Sequence, residues 1–352
     1  MANVLKSLLT KKEPIKIGHL APLSGDYGYY GELEKEGIDL AASEINKKGG
    51  INGQKLLIAR EDDQADADKS VLALSKLIFA DKVQAVIGSI SSDALLADTP
   101  IAEKNKVVLM SALAGTSKIT ASDYTFRVYP SNTQQGEELA AAAVLAGYKN
   151  AAIIYINNEY GLDLTKSVRG AASRSGIDIS IMEGYRAETI DFKDQLARIK
   201  EKNPEAIFLL SYPKDMGIIL KQAQEEGITA KFFAPDTFSD PGIAEGARKI
   251  TEGIVYIMPE EQLSDEFLKK FKKKYGKTPT VFNALSYDAL NLLARAIERG
   301  GNNGAAIKDE LLKIKDYQGA TGSITFDANG NAINRPLKLK TIKEGKPVNY
   351  QQ

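Results

Sequence analysis

Ala85-Val86-Ile87-Gly88, the segment Ser92 to Lys104, and Val107-Val108-Leu109-Met110 follow one another in the chain, and their reading decides the fold. Neither short apolar run alternates with polar residues, so each reads as a strand buried on both faces. Ser92 to Lys104 has the length and polarity of a surface helix, and strands joined in parallel need a crossover of that kind. The unit is therefore strand, helix, strand in a parallel sheet.

Working outward, the same alternation recurs on both sides. Upstream, Ile15-Lys16-Ile17-Gly18-His19-Leu20 is a β-branched run that ends at Pro22 and Gly25. Apolar residues at Leu33, Gly37, Ile38, Ala41, Ala42 and Ile45 predict a helix over Gly31 to Lys48, stopped by Gly49-Gly50. A strand over Lys55 to Arg60 and a helix over Asp68 to Ala80 follow. After Phe126-Arg127-Val128-Tyr129-Pro130 the rhythm restarts, with helices predicted at 134–146, 161–174, 191–202 and 214–226. Strands alternate with them at 151–155, 177–182, 206–211 and 232–234. A chain of 352 residues is about twice the usual domain size. Two such sets predict an α/β protein with two doubly wound parallel-sheet lobes.

The last quarter departs from the repeat. A strand over Gly253 to Met258 precedes helices near 264–275, 284–299 and 304–315. Ile324-Thr325-Phe326 then leads into Asp327-Ala328-Asn329-Gly330, a hairpin signal that closes the chain. No Pro-, Gly- or Ser-rich linker separates the lobes. Short crossings at Pro130 and Pro259 suit lobes that hinge, with function in the cleft between them.

Composition removes whole classes of chemistry. The chain has no cysteine and one histidine, His19, which excludes disulfides, thiolate sites and any zinc site needing two imidazoles. Its 46 basic and 46 acidic residues cancel, so no whole-chain field draws nucleic acid or anionic lipid. No run reaches the 18 or so apolar residues of a membrane span. The first residues, Met-Ala-Asn-Val-Leu-Lys-Ser-Leu-Leu-Thr, lack the apolar core of roughly 7–15 residues that a secretory signal needs. The chain is then either cytosolic or one whose export signal has been removed.

Enzyme motifs fail one by one. Gly25, Gly28 and Gly31 form G-x-x-G-x-x-G, which is not the dinucleotide fingerprint, and Gly276-Lys277-Thr278 lacks its upstream glycine. Gly88-Ser89-Ile90-Ser91-Ser92 lacks the closing glycine of a nucleophile elbow. Glu61, Asp62, Asp63, Asp66 and Asp68 miss the glycine and glutamate of a calcium loop, and read as a solvated acidic face or turn. His19 reads as a core or strand-end histidine. Carboxylate-only catalysis stays open as a minor hypothesis.

Ligands of open parallel sheets bind beyond the carboxyl ends of the strands. Those positions hold Pro22 to Gly31, with Tyr27, Tyr29 and Tyr30 among glycines, read as a lid-like loop or else a surface tyrosine cluster. They also hold Ser89 to Asp93, either ordinary helix caps or an anion site, and Ser111 to Ser117, again small residues and hydroxyls. The second set supplies Asn157 to Gly161, Ser211-Tyr212-Pro213 and Pro235-Asp236-Thr237. Two tyrosines and an acid attract an organic cation. Hydroxyls on one lobe and an acid on the other suit a zwitterion.

Several stretches together carry a resemblance to a known family. They are Ile17 to Gly25, Gly37-Ile38-Asp39-Leu40-Ala41, Glu44-Ile45-Asn46 with Gly49 to Gly53, Val86-Ile87-Gly88, Phe126-Arg127, Tyr160-Gly161, Ser286 to Ala289 and Phe326 to Gly330. In that order, from about Ile15 to Val348, the chain resembles the type I periplasmic solute-binding proteins, in particular the leucine/isoleucine/valine-binding family of ABC importers. The resemblance implies lobes of 14–131 plus 261–335 and of 132–260 plus 336–352, joined by a three-crossing hinge. It implies a monomeric extracytoplasmic receptor that closes on a small amino acid and delivers it to a membrane permease, with no cofactor, metal or nucleic acid.

Carried over residue by residue, the carboxylate-binding serine is Ser92 and the main-chain contact segment is Leu113, Ala114 and Gly115. The ammonium-binding acid is Asp236, and the cleft aromatics are Tyr30, Tyr160, Tyr212 and Phe282. Where amino-acid binders carry threonine this chain has Gly115, with Thr116 one place later. A shifted hydroxyl keeps small amides, urea-like solutes and aromatic carboxylates open as ligands, and a cytosolic sensor open as the alternative class. Threonine at 115 is expected to strengthen amino-acid binding, unless the glycine has a positive φ.

Overall fold

The computed structural model describes residues 13–240, 242–243, 250–260 and 262–351. They divide into two compact units, one of 13–114, 118–129 and 262–334, the other of 115–117, 130–260 and 335–351. The first unit opens with β1 (Ile15–Ala21), α1 (Gly28–Lys47), β2 (Leu56–Asp62), α2 (Ala67–Phe79), β3 (Ala85–Ile87), α3 (Ser92–Asn105), β4 (Val108–Ser111) and β5 (Thr125–Arg127). Its sheet has the order β2-β1-β3-β4-β5, every pair parallel. Ile15, Ile17, Leu20, Val86 and Leu109 lose nearly all their exposure, and Leu74, Leu77 and Leu95 of the helices pack with Leu20, Val86 and Leu109. The continuous apolar strands thus do what their composition requires.

The second unit continues with α4 (Asn132–Leu145), β6 (Asn150–Ile156), α5 (Glu159–Arg174), β7 (Asp178–Tyr185), α6 (Lys193–Glu201), β8 (Ala206–Leu210), α7 (Pro213–Glu225), β9 (Lys231–Ala234) and β10 (Val255–Pro259). Its parallel part runs β7-β6-β8-β9-β10, the same order as in the first unit. In both sheets the order reverses beside the first strand of the set: between β1 and β3, and between β6 and β8. A doubly wound sheet places its crevice there.

The chain then returns to the first unit through α8 (Asp265–Tyr275), α9 (Val281–Gly300), α10 (Gly304–Leu312), β11 (Tyr317–Gly319), β12 (Gly322–Phe326) and β13 (Ala332–Ile333). β12 pairs antiparallel with β13 across Asp327 to Asn331, the hairpin that Asn329-Gly330 signalled. That hairpin does not close the chain. β14 (Leu337–Lys343) pairs antiparallel with β10, and β15 (Lys346–Asn349) pairs antiparallel with β14, so the second sheet is mixed. Glu344 and Gly345 form the tight turn, both at positive φ, 54° and 70°. β15 is an edge strand, and β14 interleaves Lys338, Lys340 and Lys343 with its apolar residues, so this tail lacks the continuous apolar run by which the buried strands are read.

One further reading changes. Tyr29 and Tyr30 lie in the first turn of α1 rather than in a flexible lid. A Cβ at Gly31 would sit 2.0 Å from the Pro22 carbonyl oxygen, so the glycine lets the helix start hard against the loop. The acidic run forms the turn into α2, with Asp66 and Asp68 exposed. Asp62 accepts from the Leu23 amide (2.8 Å) and the Ser24 hydroxyl (2.6 Å), and Asp66 caps α2. Asp63 is wholly buried, and that burial raises its carboxyl to about 7. His19 is also wholly buried on β1, with Nε2 3.1 Å from Glu34 Oε2.

Candidate functional site

Each unit gathers its candidate residues at its own switch point. In the first unit the loop after β3 and the start of α3 carry Ser89, Ser91 and Ser92. Ser91 is the cap: its hydroxyl accepts from the Ala94 amide at 3.1 Å. Ser92, one place on, is 2 % exposed and its Oγ has no hydrogen-bond partner. The cap is therefore Ser91, and among the described residues the Ser92 hydroxyl is left uncommitted. A buried hydroxyl beside the positive end of a helix is a ready donor to an anion.

That loop is held from behind. Asp98, on α3, accepts from Ser89 Oγ (2.5 Å) and Ser70 Oγ (2.6 Å), and burial raises its carboxyl to about 6. Ser111 at the end of β4 donates to the Ser89 carbonyl (3.0 Å) and accepts from the Ala114 amide (2.9 Å). The loop carrying Leu113 and Ala114 is thereby tied to the loop carrying Ser92. Tyr30 of α1 meets Phe282 of α9 edge to face, ring centroids 5.7 Å apart.

In the second unit Tyr160, at the start of α5, stacks on Tyr212 after β8, with centroids 5.0 Å apart and planes 11° from parallel. Asn158 caps α5 and its amide lies 3.4 Å from the Tyr212 hydroxyl. Thr237 donates to the Ser211 carbonyl (2.9 Å) and stands 3.4 Å from the Tyr160 hydroxyl, joining the loop after β9 to the stacked pair. Asp236 precedes it, 6 % exposed, and burial raises its carboxyl to about 7 against the lowering effect of two backbone amides. Among the described residues no cation pairs with it. Burial likewise pushes the Tyr160 phenol well above its ordinary range. A desolvated acid and two stacked rings each attract an organic cation.

Gly115 and Thr116 belong to this second unit, although Leu113 and Ala114 belong to the first. Thr116 is wholly buried, its hydroxyl 3.4 Å from Glu159 Oε1. Gly115 does not have a positive φ. A Cβ there would lie 2.1 Å from Asn132 Oδ1, so a neighbouring side chain, not backbone strain, requires the glycine. Threonine at 115 is thus expected to weaken packing rather than strengthen binding. Among the described residues no group of three or more His, Asp or Glu side chains is placed to hold a metal ion.

A family model described as periplasmic binding protein matches residues 14–347. The chain belongs to that family. It is 26% identical over 330 residues to the leucine-, isoleucine-, valine-, threonine- and alanine-binding protein of Pseudomonas aeruginosa, covering 92% of this chain and 88% of the relative. A leucine-binding protein from Thermotoga maritima has a TM-score of 0.89 at 27% identity, covering 96% of this chain and 98% of that one. The branched-chain amino acid transporter substrate-binding protein of Streptococcus pneumoniae, solved with isoleucine, has a TM-score of 0.85 at 29% identity, covering 95% and 97%. Family members are periplasmic binding proteins, and these relatives are binding proteins rather than enzymes.

Within the family frame the candidates fall into two sets: Tyr30, Ser92, Leu113, Ala114 and Phe282 in one unit, and Gly115, Thr116, Tyr160, Tyr212 and Asp236 in the other. Three buried polar residues beside them escaped sequence reasoning: Asp98, Asn132 and Asp163. Asp163 had a usable signal, since it lies three residues after Tyr160 and so on the same face of α5.

Proposed function

We propose that this protein captures a small zwitterionic solute, an aliphatic amino acid first, outside the cytoplasm, and hands it unchanged to the permease of an ATP-driven importer. The observation that carries the reading is Asp236: a buried acid that no cation among the described residues pairs with, next in sequence to Thr237, which stands 3.4 Å from the hydroxyl of Tyr160 in the Tyr160–Tyr212 stack. Its counterpart is Ser92, a buried hydroxyl without a partner at a helix N-terminus. The ligand carboxylate takes the Ser92 hydroxyl and nearby main-chain amides, while its ammonium takes Asp236 and the ring faces. A ligand that needs both sets draws the two units together, and its release to the permease reverses that step. The protein acts as a monomer and carries out no reaction.

A thermal-shift screen of amino acids, small amides and aromatic carboxylates tests this. A ligand specific to the folded state, at a hundredfold excess over its dissociation constant, adds roughly 2.7 kcal/mol of stability. Stabilisation by leucine, isoleucine or valine, with the compound recovered intact, is the expected result. Stabilisation only by uncharged amides or by aromatic acids overturns the amino-acid reading. Small-angle scattering should show a smaller radius of gyration with the bound amino acid than without it.

A further inference from the structure

Asn132 opens α4 and is wholly buried. Its amide orientation is settled by its neighbours. Asp163 accepts from Ser117 N (2.8 Å) and Ser117 Oγ (2.5 Å), and also from Asn132 Nδ2 (3.0 Å). A carboxylate that only accepts must face the NH2 end of the amide, so Oδ1 points the other way. On that side stands Gly115, whose carbonyl accepts from the main-chain N–H of Asn132 at 2.7 Å. Oδ1 itself accepts from no donor among the described residues. Buried acceptors are rarely left so. It lies 2.1 Å from where a Cβ of residue 115 would be, hence where a side chain at 115 would begin.

The surroundings say which donor fits. Asp163 shares a helix face with Tyr160, and Thr116, next to Gly115, reaches toward Glu159 at the same end of α5. Asn132 is thereby tied, through Asp163 on one side and Gly115–Thr116 on the other, to the start of the helix that carries Tyr160. Resting on the amino-acid reading above, we infer that Asn132 Oδ1 accepts a hydrogen bond from the ligand's ammonium group, and that Gly115 lacks a side chain so that this oxygen stays uncovered. Asn132 is then a specificity residue, and Asp163 a positioning residue that fixes its amide.

Isothermal titration of L-leucine, L-isoleucine and L-valine, each beside its des-amino carboxylate (4-methylpentanoate, 3-methylpentanoate, 3-methylbutanoate), tests the assignment. The parent should prefer an amino acid over its carboxylate. Asn132→Ala should lose tenfold or more in affinity for that amino acid and stay within twofold for the carboxylate. Gly115→Ala, which covers Oδ1 without deleting the amide, should show the same selective loss and serves if Asn132→Ala does not fold. Equal losses for both ligands, or no loss for the amino acid, overturn the inference while the amino-acid reading stands. A parent that does not prefer any of the three amino acids overturns both.

Discussion

The two units share one strand order and place their candidate residues on corresponding loops, yet they present opposite chemistry. In the first unit the loops after β1, β3 and β4 supply Tyr30, Ser92 and the Leu113–Ala114 segment, which are hydroxyl and amide donors with one ring. In the second, the loops after β6, β8 and β9 supply Tyr160, Tyr212 and Asp236, which are two rings and an acid. The same scaffold thus gives the same addresses, and the side chains at those addresses differ, the basis for the proposed assignment of carboxylate to one unit and ammonium to the other. The comparison also separates roles by burial. Ser91 caps a helix and Ser92 does not, although they are adjacent.

The largest expected effect comes from removing the second unit's charge. Asp236→Asn leaves a ligand ammonium unpaired, which costs about 2–5 kcal/mol, or thirty to several thousand times in amino-acid affinity. Folding should survive, because the acid already carries a proton about half the time near pH 7. The pH profile comes next. An ammonium needs the ionised acid, so amino-acid affinity should hold above pH 7 and fall about tenfold for each unit below it. An affinity flat from pH 8 to pH 5 would remove Asp236 from the contact.

Smaller effects divide the serines of the first unit. Ser92→Ala deletes a hydrogen bond to a charged carboxylate, about 1.5–3 kcal/mol of affinity, with no loss of ligand-free stability because the hydroxyl has no partner to lose. Ser91→Ala should do the reverse, costing about 1 kcal/mol of stability through the lost cap and little affinity. Chemical denaturation beside titration separates them, and a shared pattern would mean that the two serines are not divided in role. Asp63 offers the smallest test. Its carboxyl, near 7 when folded and 3.8 otherwise, holds a proton in the folded state between about pH 4 and 7 that the unfolded chain releases. Its contribution to stability falls as pH rises through that window. Asp63→Asn should therefore gain on the parent by about 1 kcal/mol per pH unit there.

Much of this was legible because buried parallel strands and their helices announce themselves as apolar runs and periodic faces. The loops at the strand ends could be named from that pattern alone, and with them Ser92, Tyr160, Tyr212 and Asp236. What the pattern could not carry is contact across distant sequence. Asn132 and Asp163 look like ordinary helix-start and helix-face polar residues until they meet Ser117 and Gly115. The same holds for Asp98 beneath Ser89. The strands β14 and β15 were silent because lysines interleave the apolar residues of β14 and β15 is a short, exposed edge. Phe282 entered only through the family resemblance, since its place on α9 marks it as core.

The central claim, that one unit holds the ligand's carboxylate and the other its ammonium, is tested most directly by a crossed titration. Ser92→Ala and Asp236→Asn are each titrated with L-leucine, 4-methylpentanoate and 3-methylbutylamine, if leucine is the amino acid the parent binds. Both variants should weaken leucine. Ser92→Ala should weaken 4-methylpentanoate and spare 3-methylbutylamine, and Asp236→Asn should do the opposite. Equal sensitivity of both truncated ligands to both substitutions would contradict the division of labour between the two units.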